Sequence, residues 1–371
     1  MLIAFEGLDQ SGKQTQAELL RDPTHVRNYT EAEWRELFAQ AGLEIEALDV
    51  PFSDIYKKFE TESAAGGGPD LFIAPNDSLG SQARGGFLEA LDGKIDTTVA
   101  NSTDVSVAGS QVGGKLYMVP ESLKAVEMYY DSAKIPTPPT TTDEMLAAVK
   151  GGAKIGMITG EYFGWGFYGS FGGQIFDANG KCAATATTGV ADAMNFFAEM
   201  KKAGALIDSD YGKVNDAFKN GEIDAIFNGN WTLGDYKAAR PAVKVAAIPG
   251  KAAGTFGAPL VGVDGYYINA SSANKDLAIA VAQAMVDQAA QQIYVDMAGH
   301  VPANKNIMIS DETVKGFSDA FQYAMPRPQT KELNNYWGNF GNAWKEVLDK
   351  GTDATTAVAK ACADMDTANG K

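Results

Sequence analysis

Histidine and cysteine are scarce in this chain of 371 residues, which has two of each. The two histidines, His25 and His300, are too few for a histidine-based metal site. Two cysteines exclude a cysteine-rich zinc site and a disulfide scaffold. We therefore expect no metal ion and no other cofactor. Cys182 and Cys362 leave two alternatives open: one bridge, if the protein works outside the cytosol, or two buried thiols.

Positive charge and long apolar runs are also lacking. Lysine and arginine number 31 against 47 aspartates and glutamates, a formal net charge of −16 at pH 7. A nucleic-acid-binding protein would present a basic face and a membrane-surface protein a polybasic segment, so both classes are excluded. No run approaches the ~18–20 apolar residues that span a bilayer. The apolar start, Met1 to Phe5, is shorter than a signal-peptide core, so we expect a cytosolic protein or one whose export signal is absent from this chain.

The composition that remains is that of a globular protein. Hydrophobic residues make up 45% and charged residues 21% of the chain. The length corresponds to about two or three domains. The segment Asp70–Ala74, DLFIA, is typical of a strand buried in a parallel sheet. Helix-like and strand-like segments then alternate, for example at 143–149, 155–158 and 190–203, and this alternation predicts an α/β architecture.

Several aromatic residues stand beside glycine or polar residues, a context that does not suit a buried core for all of them. They occur in three segments, Glu161-Tyr162-Phe163-Gly164-Trp165, Gly229-Asn230-Trp231 and Asn335-Tyr336-Trp337-Gly338. A sugar presents apolar C–H faces and a rim of hydroxyl groups, so flat aromatic rings with neighbouring polar side chains suit it. The pattern agrees with a carbohydrate ligand. Trp344 lies on a helical apolar stripe and is predicted to belong to the core.

Five collinear blocks after residue 50 carry a resemblance to a known family. They are PFSDIYKKFETESAAGGGPDLFIAPNDSLG, GGKLYMVPESLKAVEMYYDSAKIPTPPTT, FNGNWTLGDYKAA, PLVGVDGYYINASSANKDLA and NNYWGNFGNAWKEVLDKG. Residues 51–371 resemble the family 1 extracellular solute-binding proteins of ABC importers, and within them the maltose/maltodextrin-binding group. The resemblance implies the two-lobed α/β fold of periplasmic binding proteins (type II), each lobe a mostly parallel sheet flanked by helices. It divides the chain into a first lobe (1–122 and 266–312), a second lobe (126–262 and 318–371) and hinge segments near 121–125, 264–265 and 313–317.

The same resemblance implies a function. The protein would be no enzyme but a binding protein that clamps a sugar between its lobes and delivers it to a membrane ABC permease. Maltose, trehalose or a maltooligosaccharide would be the ligand. We expect a monomer located outside the cytoplasm, in the periplasm or at the cell surface. Ala74 and Ser78 stand where the maltose-binding group has Trp and Arg, which leaves the identity of the sugar open.

The resemblance also assigns roles to individual residues. It makes Trp231 and Trp337 stacking platforms and Tyr162 and Tyr211 flanking aromatics. Two carboxylates, Glu161 and Asp77, would accept hydrogen bonds from sugar hydroxyls. Trp165 would be a further contact or, since Gly164 and Gly166 flank it, a packed core residue.

The first 21 residues resemble a different family. FEGLDQSGKQTQ is similar to the phosphate-binding loop of thymidylate kinases, with Gly7-x-x-x-x-Gly12-Lys13 between a strand and a helix. In such a loop backbone N–H groups hold phosphate and the lysine reaches its oxygens. The alternative function is therefore nucleotide or phosphate binding through Gly7, Gly12 and Lys13. Gln14 stands where a Mg²⁺-binding Ser or Thr is required, which argues against phosphoryl transfer.

Residues 22–50 are similar to a helix–strand unit of class I methyltransferases that does not carry the methyl-donor site. Two foreign segments in succession predict a chimera, engineered or recombined, in which residues 1–50 complete the first lobe. In the solute-binding family the loop after the first strand contacts the sugar. Asp9 in that loop is a candidate replacement contact. We expect weakened or lost sugar binding, because nothing selected this loop for a sugar.

Overall fold

The sheets and helices of the chain fall into two structural units. The structure, a computed structural model, describes residues 2–7 and 46–371. Unit 1 consists of Met1–Leu123 and Gly262–Ser310, and unit 2 consists of Lys124–Val261 and Asp311–Lys371. The chain therefore passes from one unit to the other three times.

The described strands, numbered in chain order, are β1 (Leu2–Gly7), β2 (Glu46–Pro51), β3 (Leu71–Pro75), β4 (Gln111–Val112), β5 (Lys115–Leu116), β6 (Met118–Lys124), β7 (Val126–Asp131), β8 (Ile155–Ile158), β9 (Leu206–Asp208), β10 (Ala225–Gly229), β11 (Val243–Ala246), β12 (Leu260–Ile268), β13 (Val301–Pro302) and β14 (Met325–Pro326).

The described α-helices are α1 (Phe52–Ala64), α2 (Leu79–Arg84), α3 (Asp96–Asn101), α4 (Asp104–Gly109), α5 (Thr142–Lys150), α6 (Trp165–Ser170), α7 (Gly189–Ala203), α8 (Tyr211–Lys219), α9 (Leu233–Ala239), α10 (Lys275–Met285), α11 (Gln288–Ile293), α12 (Glu312–Ala320), α13 (Asn334–Lys350) and α14 (Ala354–Ala368). Single 3₁₀ turns occur at Asn230–Thr232, Phe321–Tyr323 and Lys331–Leu333, and a π-helical turn occurs at Tyr294–Ala298.

The sheet of unit 1 has the strand order β13–β6–β12–β3–β1–β2. Strand β1 runs parallel to both of its neighbours, β2 and β3. The four residues Leu71–Ala74 of β3 are all buried, as their continuous apolar run predicts. On one side these strands pack on α10, whose buried residues Ala278, Ile279 and Ala282 follow helical spacing.

The sheet of unit 2 has the order β11–β7–β10–β8–β9. Strands β8, β9 and β10 run in the same direction, so their carboxyl ends open onto one edge of the sheet. Helix α7 covers the sheet with Val190, Met194 and Phe197, and it ends at Gly204 in the left-handed conformation. Trp344 of α13 lies in the same core, as predicted. This edge carries the candidate site described below.

Both sheets are mixed: each combines parallel neighbours with antiparallel ones. In unit 1, β12 runs antiparallel to β3, and β13 runs antiparallel to β6. In unit 2, β7 runs antiparallel to both β10 and β11. Periodicity and apolar runs predict that a segment is a strand, but the direction of a strand depends on where the chain returns to the sheet. The predicted α/β class itself is confirmed.

A disulfide joins Cys182 to Cys362, with 5.5 Å between their Cα atoms. The bridge lies within unit 2 and ties a loop to α14, where the Asp366 carboxylate also accepts a hydrogen bond from the backbone N–H of Cys182 (2.8 Å). Of the two alternatives that the sequence leaves open for these cysteines, the structure has the bridge. In the described part of the chain, no helix is both long enough and apolar enough to span a membrane.

Candidate functional site

Five aromatic side chains of unit 2 lie together and form what we call the aromatic face: Tyr162, Phe163, Tyr211, Trp231 and Trp337. The Tyr162 ring centroid lies 6.2 Å from that of Trp231 and 6.5 Å from that of Trp337. Phe163 lies between Tyr162 (5.4 Å) and Tyr211 (6.0 Å). The structure therefore brings together the four aromatic residues predicted to be platforms or flanking contacts, and it adds Phe163.

The direction of the strands explains why these residues converge. Tyr162 and Phe163 follow β8, Tyr211 follows β9, and Trp231 follows β10. Because these three strands are parallel, the segments after them meet at one edge, the usual place for ligands in open α/β sheets. Tyr211 and Trp231 keep 38% and 40% of their surface exposed, so both rings are accessible. An exposed cluster of this kind is typical of a binding surface.

Trp165, predicted as a possible ligand contact, is corrected to a core residue. It is only 4% exposed, and its ring packs edge-on against Tyr336 at 4.7 Å. The glycines beside it explain this position. A Cβ on Gly164 would fall 2.0 Å from the Trp344 ring, so only glycine lets α6 approach α13 this closely. Trp165 therefore packs against Tyr336 in the core, and Tyr336 in turn packs against Trp337 of the aromatic face at 5.1 Å.

A buried hydrogen-bond network fixes this supporting layer. Tyr336 donates to the backbone carbonyl of Glu161 (2.8 Å), and Trp344 Nε1 donates to the Tyr168 hydroxyl (2.7 Å). The Tyr336 and Tyr168 hydroxyls are 3.2 Å apart. Burial raises the pKa of both tyrosines, so they stay protonated and keep their donors. The hydrogen bond from Tyr336 thus fixes the backbone of Glu161, the residue before Tyr162, from the core side.

Charged groups border the aromatic face at one end. The Arg327 guanidinium lies 4.9 Å from the centroid of the Trp337 ring, a cation–π contact. The half-buried Glu161 side chain lies against α13, where a Cβ on Gly341 would fall 2.8 Å from its Oε2. A guanidinium donates hydrogen bonds and a carboxylate accepts them. This end of the aromatic face can therefore donate to the oxygen of a hydroxyl group and accept from its proton.

The site residues predicted for the first lobe lie in unit 1 or outside the described residues. Asp77 is exposed in the turn after β3. That turn is held by Tyr56 and Tyr267, which both donate to the carbonyl of Pro75 (2.7 and 2.6 Å). Gly7 is the last residue of β1 and is level with Pro51 of β2. Asp9, Gly12 and Lys13 lie outside the described residues, as do the predicted P-loop and most of residues 22–50.

Sequence reasoning missed Phe163, Asn228 and Arg327. Phe163 stands inside the Glu161–Trp165 segment, so its glycine-flanked context was an available signal. Asn228 is fully buried and bonds to the Tyr211 hydroxyl (3.4 Å), a role visible only in three dimensions.

No group of three or more His, Cys, Asp or Glu suited to a metal ion occurs among the residues that the structure describes.

Comparison with known proteins gives consistent relatives. A family model described as bacterial extracellular solute-binding protein matches residues 35–317, and so begins upstream of residue 51. A maltotriose-binding protein of Pyrococcus abyssi is 26% identical over 80% of this chain and 69% of its own length. A galactooligosaccharide-binding protein of Bacillus subtilis is 23% identical over 86% of this chain and 81% of its own.

Solved structures give the same result for the fold. The structure of the Thermus thermophilus maltotriose binding protein bound with maltotriose superimposes with a TM-score of 0.81 at 26% identity. The match covers 99% of this chain and 100% of that chain. This likeness confirms the predicted fold class.

Proposed function

The chain belongs to the family of bacterial extracellular solute-binding proteins, and from this premise we propose that it binds a neutral oligosaccharide on the aromatic face of unit 2. The observation that carries the proposal is the convergence of Tyr162, Tyr211, Trp231 and Trp337 at the carboxyl edge of three parallel strands. Aromatic rings stack on the C–H faces of sugar rings, and several rings in a row suit several sugar units.

We propose a glucose oligosaccharide of the maltose, trehalose or maltooligosaccharide type as the ligand. The maltotriose-binding relatives support this choice, and the galactooligosaccharide-binding relative provides the competing one. In the proposed complex Trp231 and Trp337 are the stacking platforms, and Tyr162 and Tyr211 flank the sugar. Glu161 and Asp77 are the proposed acceptors of hydrogen bonds from sugar hydroxyls.

Thermal melting with sugars tests this proposal. A ligand present at 100 times its Kd adds about 2.7 kcal/mol to the free energy of unfolding, which shifts the melting temperature measurably. We expect a shift with millimolar maltotriose and a smaller shift or none with galactobiose. A cooperative melt that no sugar shifts would contradict the proposed function. Melting with ATP and Mg²⁺ in place of sugar tests the alternative, phosphate binding at Gly7, Gly12 and Lys13.

The proposed biological role is capture for import rather than chemistry. The protein would act outside the cytoplasm as a monomer, clamp the sugar without changing it, and pass it to an ABC permease. The family supports the location, since its members are extracellular solute-binding proteins. Light scattering with and without sugar measures the oligomeric state, and recovery of the unchanged sugar after long incubation tests for hidden catalysis.

We also propose that the start of the chain is a graft that weakens sugar binding. The family match begins at residue 35, so the proposal rests mainly on residues 1–34 and their P-loop-like sequence. The loop after β1 would then offer Asp9 in place of the polar sugar contacts that this loop makes in the solute-binding family. Loss of two hydrogen bonds to a polar ligand costs about 2–4 kcal/mol, or one to three decades in affinity. Replacing residues 1–34 with the corresponding segment of a maltotriose-binding relative should restore that affinity.

A further inference from the structure

The Trp231 ring lies directly over a glycine. A Cβ on Gly229 would fall 1.9 Å from the edge of that ring, far inside any tolerable contact. Yet the backbone of Gly229, with φ −86° and ψ 162°, is one that any residue adopts. The backbone conformation therefore does not require glycine at position 229. Glycine is required there because any side chain would collide with the Trp231 ring.

A chain of hydrogen bonds runs from this ring into the core of unit 2. Trp231 Nε1 donates to the Tyr211 hydroxyl (3.3 Å), and Asn228 Nδ2 donates to the same oxygen (3.4 Å). Asn228 Nδ2 also donates to the Tyr236 hydroxyl (2.8 Å), which donates to Asn215 Oδ1 (2.7 Å). Asn228 and Tyr236 are fully buried, so neither can touch a ligand on the surface.

The orientation of the Asn228 amide is fixed by the backbone of the next residue, Gly229. Its Oδ1 accepts from the N–H of Gly229 (2.8 Å), a group that can only donate, so Nδ2 must face the two tyrosine hydroxyls. The carbonyl of Gly229 is held in turn by the hydroxyls of Tyr129 (3.1 Å) and Thr232 (2.9 Å). Gly229, which lies beneath the Trp231 ring, is therefore hydrogen-bonded through both its N–H and its C=O.

The two donors have a consequence for Tyr211. Its hydroxyl oxygen already accepts from Trp231 and Asn228, so its own proton points away from both. We propose that Asn228 and Gly229 are positioning residues, which hold Trp231 flat as a stacking face and orient Tyr211 as a hydrogen-bond donor to a sugar oxygen. This inference rests on the proposed sugar binding and names the residues that prepare the site for it.

Two variants act on the positioning without touching the ligand. Gly229→Ala displaces the Trp231 ring, and loss of one stacking contact of about 1.4 kcal/mol weakens maltotriose binding about tenfold. Tyr236→Phe breaks the chain behind Asn228, and we expect about threefold weaker binding. Tyr266→Phe is the matched control, because it removes a buried tyrosine hydroxyl from unit 1, 3.4 Å from that of Tyr294. It should leave the Kd for maltotriose unchanged.

Calorimetric titration with maltotriose and acrylamide quenching of tryptophan fluorescence are read on the same proteins. Weaker binding by both unit 2 variants, with Gly229→Ala more easily quenched than wild type, supports the inference. Lower melting temperatures with an unchanged Kd would show a merely structural role and overturn it, while the proposed function stands. If the wild type binds no maltotriose, the proposed function fails. In that case, unchanged quenching of Gly229→Ala would also overturn the positioning of the ring.

Discussion

Replacing Glu127 with glutamine should stabilise unit 2 at neutral pH and change little in mild acid. Glu127 lies on β7 and is 1% exposed. Its Oε2 accepts a hydrogen bond from the backbone N–H of Ile248 (2.8 Å), and its Oε1 has no hydrogen-bond partner among the described residues. Burial raises the pKa of this carboxyl to about 8, against the opposing effect of the Ile248 N–H. The folded protein therefore keeps it protonated at pH 7.

The magnitude follows from the difference between the two states. In the unfolded chain the carboxyl ionises near its ordinary pKa of 4.5. Between pH 4.5 and about 8 the folded state holds one proton more than the unfolded state. The free energy of unfolding thus falls by ~1.4 kcal/mol per pH unit across this window. Above the window, where the carboxyl is ionised in both states, Glu127 causes no further fall. Glutamine keeps the acceptor for Ile248 and never ionises, so Glu127→Gln gains about 3 kcal/mol over wild type at pH 7.

Urea unfolding at pH 5 and pH 7.5, followed by tryptophan fluorescence, measures this difference. Four of the five tryptophans, Trp165, Trp231, Trp337 and Trp344, belong to unit 2, so most of the signal reports on the unit that contains Glu127. Glu312→Gln, at an exposed carboxylate of the same unit, is the matched control and should follow wild type at both pH values. Parallel pH dependence of Glu127→Gln and wild type would refute the reasoning.

Three further predictions concern unit 2. The Arg240 guanidinium donates to the Asp131 carboxylate and to the carbonyls of Phe218 and Ile223, all with little exposure, so Arg240→Ala should lower the free energy of unfolding by about 3–5 kcal/mol in urea titrations. Cys362→Ser removes the bridge to Cys182 and should lower it by about 2–4 kcal/mol; dithiothreitol should destabilise wild type but not the variant. Hydrogen bonds from Lys237 and Thr313 outweigh partial burial and lower the pKa of Asp311 to about 2. Its stabilisation is therefore present above pH 3.8 and lost as the pH falls towards 2, so Asp311→Asn should flatten the acid limb of the melting profile.

The sequence predicts the fold class because local patterns suffice for it. The apolar run at Leu71–Ala74 is a buried strand, and the helix-like segment 190–203 lies in α7. The direction of the strands could not be predicted in this way, because β12 and β7 owe their antiparallel pairing to distant parts of the chain. The pairing of two cysteines 180 residues apart likewise depends on tertiary structure.

The candidate site was predictable only in part. Trp165 directly follows Gly164 and Trp231 stands two residues after Gly229, yet the first is core and the second exposed. What separates them is the partner of the glycine: Gly164 makes room for Trp344 of a distant helix, whereas Gly229 makes room for Trp231 itself. A buried asparagine such as Asn228 gives no signal in sequence, because two of its three side-chain hydrogen bonds join it to Tyr211 and Tyr236, which only the fold brings near.

Titration of maltotriose into wild type, Trp231→Ala and Tyr323→Ala is the most direct test of the central claim. Tyr323 is the matched control, an exposed aromatic of the same unit that stacks on Phe256 rather than on the aromatic face. We predict saturable binding by wild type and Tyr323→Ala, and at least tenfold weaker binding by Trp231→Ala, since one stacking contact of about 1.4 kcal/mol or more is lost. Equal affinity of all three proteins, or no binding by any, would contradict a carbohydrate site on the aromatic face.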